Sequence, residues 1–195
     1  MRYIYFGKRL RAGVELPPII CFFIYTAGAD KTISVIAALF LHELGHIAAA
    51  LIRGRLPESV TLSATGADIS YKGLSTYDDD IFVCSAGPAV NLIFALLFFR
   101  IFPVFSFSGA FYGILNLMPA PCFDGGRILS SVLFRRYGHR AEKAVNAAGI
   151  AALLMLYLLS VSVLFCTGSN VSLLILCASV FSETYAKRGK FNNMI

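Results

Sequence analysis

From about Lys31 to Arg53 the chain is largely apolar, and a helix over that run would reach roughly 34 Å, enough to cross the hydrocarbon of a bilayer. Lipid offers no partner to an exposed backbone group. A run of this kind is therefore held as a helix, and several of them make a bundle of membrane helices. Near the middle of the run stands Leu41-His42-Glu43-Leu44-Gly45-His46. Ionisable groups at that depth are costly and mark a functional site. His42 and His46, four residues apart, fall on one helix face one turn apart. Two imidazoles so placed can both reach one zinc ion, and Glu43 follows the first closely enough to act on a water there. The bland alternative, two core histidines around a buried Glu, would bury three polar groups with no evident partner.

Further apolar runs occupy residues 16–29, 81–103, 105–117, 144–166 and 171–185, which predicts an all-α polytopic membrane protein of about six helices. Composition agrees. Hydrophobic residues make up 57% of the 195 and charged residues only 14%, against about a quarter charged in soluble domains. The net charge of +6 comes without a basic stripe carrying interleaved aromatics, so the bilayer, and not nucleic acid, is the expected partner. The five cysteines are odd in number and irregularly spaced, which suits small buried hydrophobes better than a disulfide framework.

The first run follows a basic flank, residues 1–13, with Arg2, Lys8, Arg9 and Arg11. A secretory leader has the same outline, but Pro17 and Pro18 suit a helix start and favour an uncleaved first crossing. Residues 54–77 differ from the rest. Pro57, Gly66 and Gly73 punctuate them, and Ser59–Ser63 and Ala67–Tyr71 alternate loosely, which predicts a short β-hairpin at the membrane surface. Asp78, Asp79 and Asp80 suit the acidic N-terminal turn of the next helix better than a cation site. Within that helix Gly87, Pro88 and Asn91 are expected to face protein rather than lipid. The run at 105–117 ends in Asn116-Leu117-Met118-Pro119-Ala120-Pro121-Cys122-Phe123-Asp124-Gly125-Gly126-Arg127. Such a broken segment is tolerated in a membrane only where it lines a protein cavity. A helix is expected to resume over 128–134.

Six crossings from a cytosolic N-terminus put residues 1–13, 53–79, 127–143 and 187–195 in the cytosol. Of the 17 basic residues only Lys31 and Arg100 fall elsewhere, as the positive-inside rule requires. Both termini are then cytosolic, and the chain reads as one membrane-embedded domain over 1–195.

A hydrolytic zinc site needs a third protein ligand and an open position. Asp68 and Asp78–Asp80 belong to the surface hairpin or its border; Glu142 and Glu183 flank loops or helix ends; His139 sits among arginines as a solvated loop residue. Asp124 is the carboxylate in the Pro- and Gly-broken segment, where Gly125 and Gly126 allow close approach to the His42 helix. Its ordinary alternative is a helix N-cap. Cys122 is a further, weaker donor.

His42-Glu43-Leu44-Gly45-His46, Gly87-Pro88-Ala89-Val90-Asn91 and the Asn116–Gly126 segment together resemble the site-2 protease family of intramembrane zinc metalloproteases. Asn116, Pro119, Asp124 and Gly125 match that family's N-x-x-P-x-x-x-x-D-G motif, and the resemblance covers roughly 14–186. It implies one zinc per chain on His42, His46 and Asp124, Glu43 as catalytic base, and Asn116 positioning the substrate backbone or oxyanion. The compact layout looks most like the sporulation-factor branch, stage IV sporulation protein FB. Its members cleave a membrane-associated pro-sigma factor. The expectation is a bacterial cell-membrane protease acting on membrane-tethered protein, in regulated proteolysis of a pro-sigma or anti-sigma factor. Departures from the relatives are the lack of the branch's CBS domain and of an inserted PDZ domain, and Ala64-Thr65-Gly66-Ala67 where relatives often carry paired glycines. Two rivals stand beside it: a zinc transporter using the same residues, and a catalytically silent membrane adaptor.

Overall fold

The computed structural model describes residues 3–6, 10–13, 28–63, 66–71 and 75–167. They divide into two units, Met1–Asn116 and Leu117–Ile195.

The first unit holds a small sheet and three helices. Helix α1 (Ala29–Ile52) opens where Gly28 takes a left-handed φ of 89° and its carbonyl accepts from the Thr32 hydroxyl at 2.8 Å. Helix α2 (Tyr77–Phe98) is capped by Thr76, whose hydroxyl accepts from the Asp79 backbone N–H at 3.2 Å. The acidic first turn Asp78–Asp80 complements the positive end of the helix. Helix α3 (Pro103–Asn116) begins on a proline, whose fixed φ and missing N–H suit a first turn. The three helices pack pairwise on one another.

Their burial is inverted relative to a soluble protein. The inward face of α1 carries Thr32, Ala38, His42, Gly45, His46, Ala49 and Ala50. Large apolar side chains point outward, Ile52 and Phe107 both about three-quarters exposed and Leu96 81% exposed. Small residues let membrane helices approach closely, and outward Leu, Ile and Phe are at home only in lipid. Ala29–Ile52, Tyr77–Phe98 and a stretch within Asp124–Cys166 are long and apolar enough to cross a membrane. The chain is an integral membrane protein. At 14 residues α3 reaches only about 21 Å, and it is not among those three.

The expected hairpin is present as β3 (Pro57–Ser63) and β4 (Gly66–Tyr71), antiparallel, with a register shift at Pro57/Ser59. It is not isolated. Residues read as a basic flank form β1 (Tyr3–Phe6) and β2 (Leu10–Gly13), and the sheet runs β1-β2-β3-β4. β2 lies parallel to β3, Leu10 opposite Val60 and Ala12 opposite Leu62. So the fold is mostly helical with a four-stranded sheet rather than helical with one hairpin. Tyr71 at the end of β4 packs against buried Ala49, Ala50 and Val83, seating the hairpin on α1 and α2.

The second unit holds α4 (Asp124–Tyr137), a 3₁₀ turn (Gly138–Ala141) and α5 (Glu142–Thr167). The helices expected over 31–53, 81–103, 105–117 and 144–166 are all found, with ends shifted by a few residues. The resumed helix starts earlier than 128, at Asp124. The first and last expected helices, over 16–29 and 171–185, fall almost entirely outside the described residues.

Candidate metal centre

His42 and His46 both lie on the buried face of α1, as their spacing requires. Their Nε2 atoms are 3.0 Å apart and their rings meet edge to face, with centroids 4.6 Å apart. Nδ1 of His46 is 2.8 Å from the Val83 carbonyl oxygen on α2. A carbonyl only accepts, so Nδ1 carries the proton and Nε2 keeps its lone pair. Nδ1 of His42 is 3.3 Å from the side-chain amide of Asn91, also on α2, and the Tyr112 ring of α3 stands edge-on to His42 at 4.9 Å.

This crowding depends on Gly87. A Cβ there would lie 2.6 Å from His46 Cε1 and 2.9 Å from His42 Cε1, and closer still to His46 Nε2. The α2 backbone is thus pressed against the two imidazoles, and a side chain at 87 would occupy their place. Glu43, the next residue along α1, is half-buried.

Asn116 ends α3, buried, with its amide nitrogen donating to the Tyr112 carbonyl at 3.0 Å. That bond to its own preceding turn uses one of the two amide N–H groups and leaves the other N–H and the amide oxygen for any other task.

In the second unit Asp124 is buried, at 7% exposure. It is the first residue of α4, while the N-cap position belongs to Phe123, so the capping alternative does not hold. The turn before it is tight, with Ala120 N–H donating to Met118 O at 2.8 Å and Phe123 N–H to Ala120 O at 2.9 Å. Gly125 and Gly126 serve this turn. A Cβ on Gly125 would strike the Leu117 carbonyl, and one on Gly126 the Ala120 carbonyl. The nearest neighbours of these two glycines are the backbone of 117–121.

His42 and His46 bring two buried imidazoles together on α1, and Asp124 offers a buried carboxylate in the second unit. Two imidazole nitrogens and a carboxylate oxygen are a donor set that zinc accepts. The His46 lone pair, fixed by Val83, and the close pair of Nε2 atoms fit that use. The other donors weighed from sequence lie elsewhere. His139 and Glu142 are exposed, Asp79 and Asp80 pair with Arg53 at 3.6 Å and Arg55 at 3.4 Å, and Cys122 is half-buried. Asp68 lies on β4 opposite Thr61, and Glu183 is outside the described residues. Sequence reasoning left Asn91, Val83 and Tyr112 without a part in the site. A lone amide four residues after Gly87 in an apolar helix was the available signal for Asn91.

Residues 99–159 match the model of peptidase family M50. The chain is 29% identical to Rip3 of Mycobacterium tuberculosis over 150 residues, 68% of this chain. It is 28% identical to the zinc metalloprotease MJ0392 of Methanocaldococcus jannaschii over 139 residues, 64% of this chain. It spans about two fifths of the length of these curated relatives, 38% of Rip3 and 41% of MJ0392. Its fold is similar to that of the solved site-2 protease from Methanocaldococcus jannaschii, with a TM-score of 0.71, 20% identity, and coverage of 95% of this chain and 94% of that one. In part of its sequence the chain is similar to peptidase family M50, and in its fold to a site-2 protease.

Proposed function

We propose that this chain is an intramembrane zinc metalloprotease that hydrolyses peptide bonds of membrane-tethered or membrane-associated proteins. The observation that carries it is the buried His42–His46 pair, with Nε2 atoms 3.0 Å apart in a helix able to span a bilayer. A pair of imidazoles at that depth, with Glu beside them, has no structural purpose that an apolar pair would not serve better. His42, His46 and Asp124 hold the ion. Zinc bound there would supply Lewis-acid polarisation of the scissile carbonyl and of a water. Glu43 takes a proton from the attacking water and passes it to the leaving amine nitrogen as the C–N bond breaks. Asn116, with its amide nitrogen held by Tyr112, orients the substrate backbone or the oxyanion. A helical substrate must unwind before its carbonyls are free, and the β3–β4 hairpin is the element to receive the extended strand.

The chain acts as one membrane-embedded domain in a bacterial cell membrane, with both termini in the cytosol. The charge distribution supports that orientation. The finer reading, a sporulation-type enzyme cutting a pro-sigma or anti-sigma factor, rests on the compact layout and the resemblance in sequence.

Glu43→Gln tests the chemistry. It keeps the size of the side chain and removes the base. Cleavage of a co-expressed membrane-tethered substrate is expected to fall by several orders of magnitude, while purified protein keeps its zinc. Undiminished cleavage would sink the metalloprotease mechanism. A transporter would keep most of its flux in the variant, and an adaptor would keep its partner.

A further inference from the structure

Val83 settles which nitrogen of His46 is protonated, but nothing equivalent is settled for His42. At its Nδ1 stands the side-chain amide of Asn91, 1% exposed and 3.3 Å away. As placed, the amide nitrogen makes the contact. Asn91 would then donate to Nδ1, and the proton of His42 would sit on Nε2, between the two imidazoles. That orientation leaves Asn91 Oδ1 buried with no hydrogen-bond partner among the described residues. A half-turn about the last side-chain bond exchanges oxygen and nitrogen without changing the shape. Oδ1 then accepts from His42 Nδ1–H, and the Nε2 lone pair of His42 is released beside that of His46.

We infer that Asn91 is a positioning residue for the metal centre, accepting the Nδ1 proton of His42 so that this histidine binds zinc through Nε2. This rests on the zinc-protease reading. α2 then sets both ligands, through the Val83 carbonyl for His46 and the Asn91 amide oxygen for His42. Gly87 lies between them in sequence, where its missing side chain lets the strut approach. Groups that hold the distal nitrogen of a metal-bound histidine fix both its tautomer and the direction of its lone pair.

The test uses the full chain purified in detergent, with zinc affinity measured by competition against a chromophoric chelator. Asn91→Leu, of similar volume and no acceptor, is expected to lose roughly 10- to 100-fold in affinity. Asn91→Asp keeps an acceptor and no donor, and is expected to stay within a few-fold of the wild type. A second measurement needs no change at Asn91. The chain has three histidines, so ¹⁵N-histidine NMR of the His139→Gln protein reports His42 and His46 alone. Both should show a protonated Nδ1 when zinc is bound. Wild-type affinity in Asn91→Leu, an Asn91→Asp loss as large as that of Asn91→Leu, or an unprotonated His42 Nδ1 would each overturn the inference. If those results appear while the wild type binds one zinc and Glu43→Gln abolishes cleavage, only the role of Asn91 falls. A wild type that binds no zinc overturns both.

Discussion

Gly87 and Asp124 are the residues whose replacement reads the metal centre most directly. Gly87→Ala adds one carbon where the imidazoles already stand, 2.6 Å from His46 Cε1 and 2.9 Å from His42 Cε1. The rings must turn or α2 must retreat. Misplacing reacting groups by an ångström costs on the order of 100-fold, so cleavage is expected to fall by about that much, with weakened zinc binding. Gly109→Ala is the matched control, because its Cβ would meet nothing closer than 3.6 Å. It should be tolerated in both assays. Asp124→Ala removes the carboxylate of the proposed ligand set, and metal analysis should find zinc binding weakened; native affinity would remove Asp124 from the site. The two histidines were legible in the sequence because helix geometry ties four-residue spacing to one face. The Gly87 contact was not, because the atom it makes room for lies on another helix. At Gly125 and Gly126 the sequence shows only that some backbone comes close. Glycine declares that a backbone comes close but not which one, and here it is the preceding turn at 117–121.

Among the elements, the hairpin at 57–71 is the part whose anchoring the structure explains. Arg55 leaves the end of α1 and reaches two other elements. Its guanidinium donates to the Ser75 hydroxyl at 2.8 Å and to Asp80 at 3.4 Å on α2, and it lies over the Tyr71 ring of β4 at 5.2 Å. Ser75 in turn donates to Asp80. A planar fork can stack on a ring and hydrogen-bond in its own plane at once, which an ammonium cannot. Arg55→Ala is therefore expected to speed hydrogen–deuterium exchange of the β3 and β4 amides severalfold, and Arg55→Lys should restore only part of the protection. Zinc affinity should not move. Exchange unchanged in the hairpin would show that Tyr71 packing alone seats it. The hairpin was visible beforehand through its turn residues and alternation, which are local. Strands β1 and β2 were not. Tyr3-Ile4-Tyr5-Phe6 has the composition of a strand, but it is short and lies among basic residues that suit a cytosolic anchor equally well. Leu10–Gly13 pairs antiparallel with Tyr3–Phe6 and parallel with residues 60–62, and the second of these pairings is one that no local pattern contains.

That parallel pair also constrains how the whole chain threads the membrane. β2 and β3 share one sheet, so residues 10–13 and 57–63 lie on one side of the bilayer. Between them α1 is long and apolar enough to cross once. One crossing would leave the paired strands on opposite faces, and an even number returns them to one. The topology we propose therefore needs the apolar run at residues 16–29 as a second crossing, which is how the sequence reads it. In that proposed topology the same side would collect Arg2, Lys8, Arg9, Arg11, Arg53, Arg55 and Lys72, and by the positive-inside rule it would be the cytosolic one. Single cysteines at positions 9, 72, 138 and 189, in a cysteine-free background, provide the measurement. All four are expected to react with an impermeant maleimide in inside-out vesicles and to stay unlabelled in intact cells. Labelling of positions 9 and 72 from opposite faces would contradict the crossing at 16–29. Labelling of positions 9 and 189 from opposite faces would overturn the count of six while leaving the sheet, and the two crossings that join its halves, where they are.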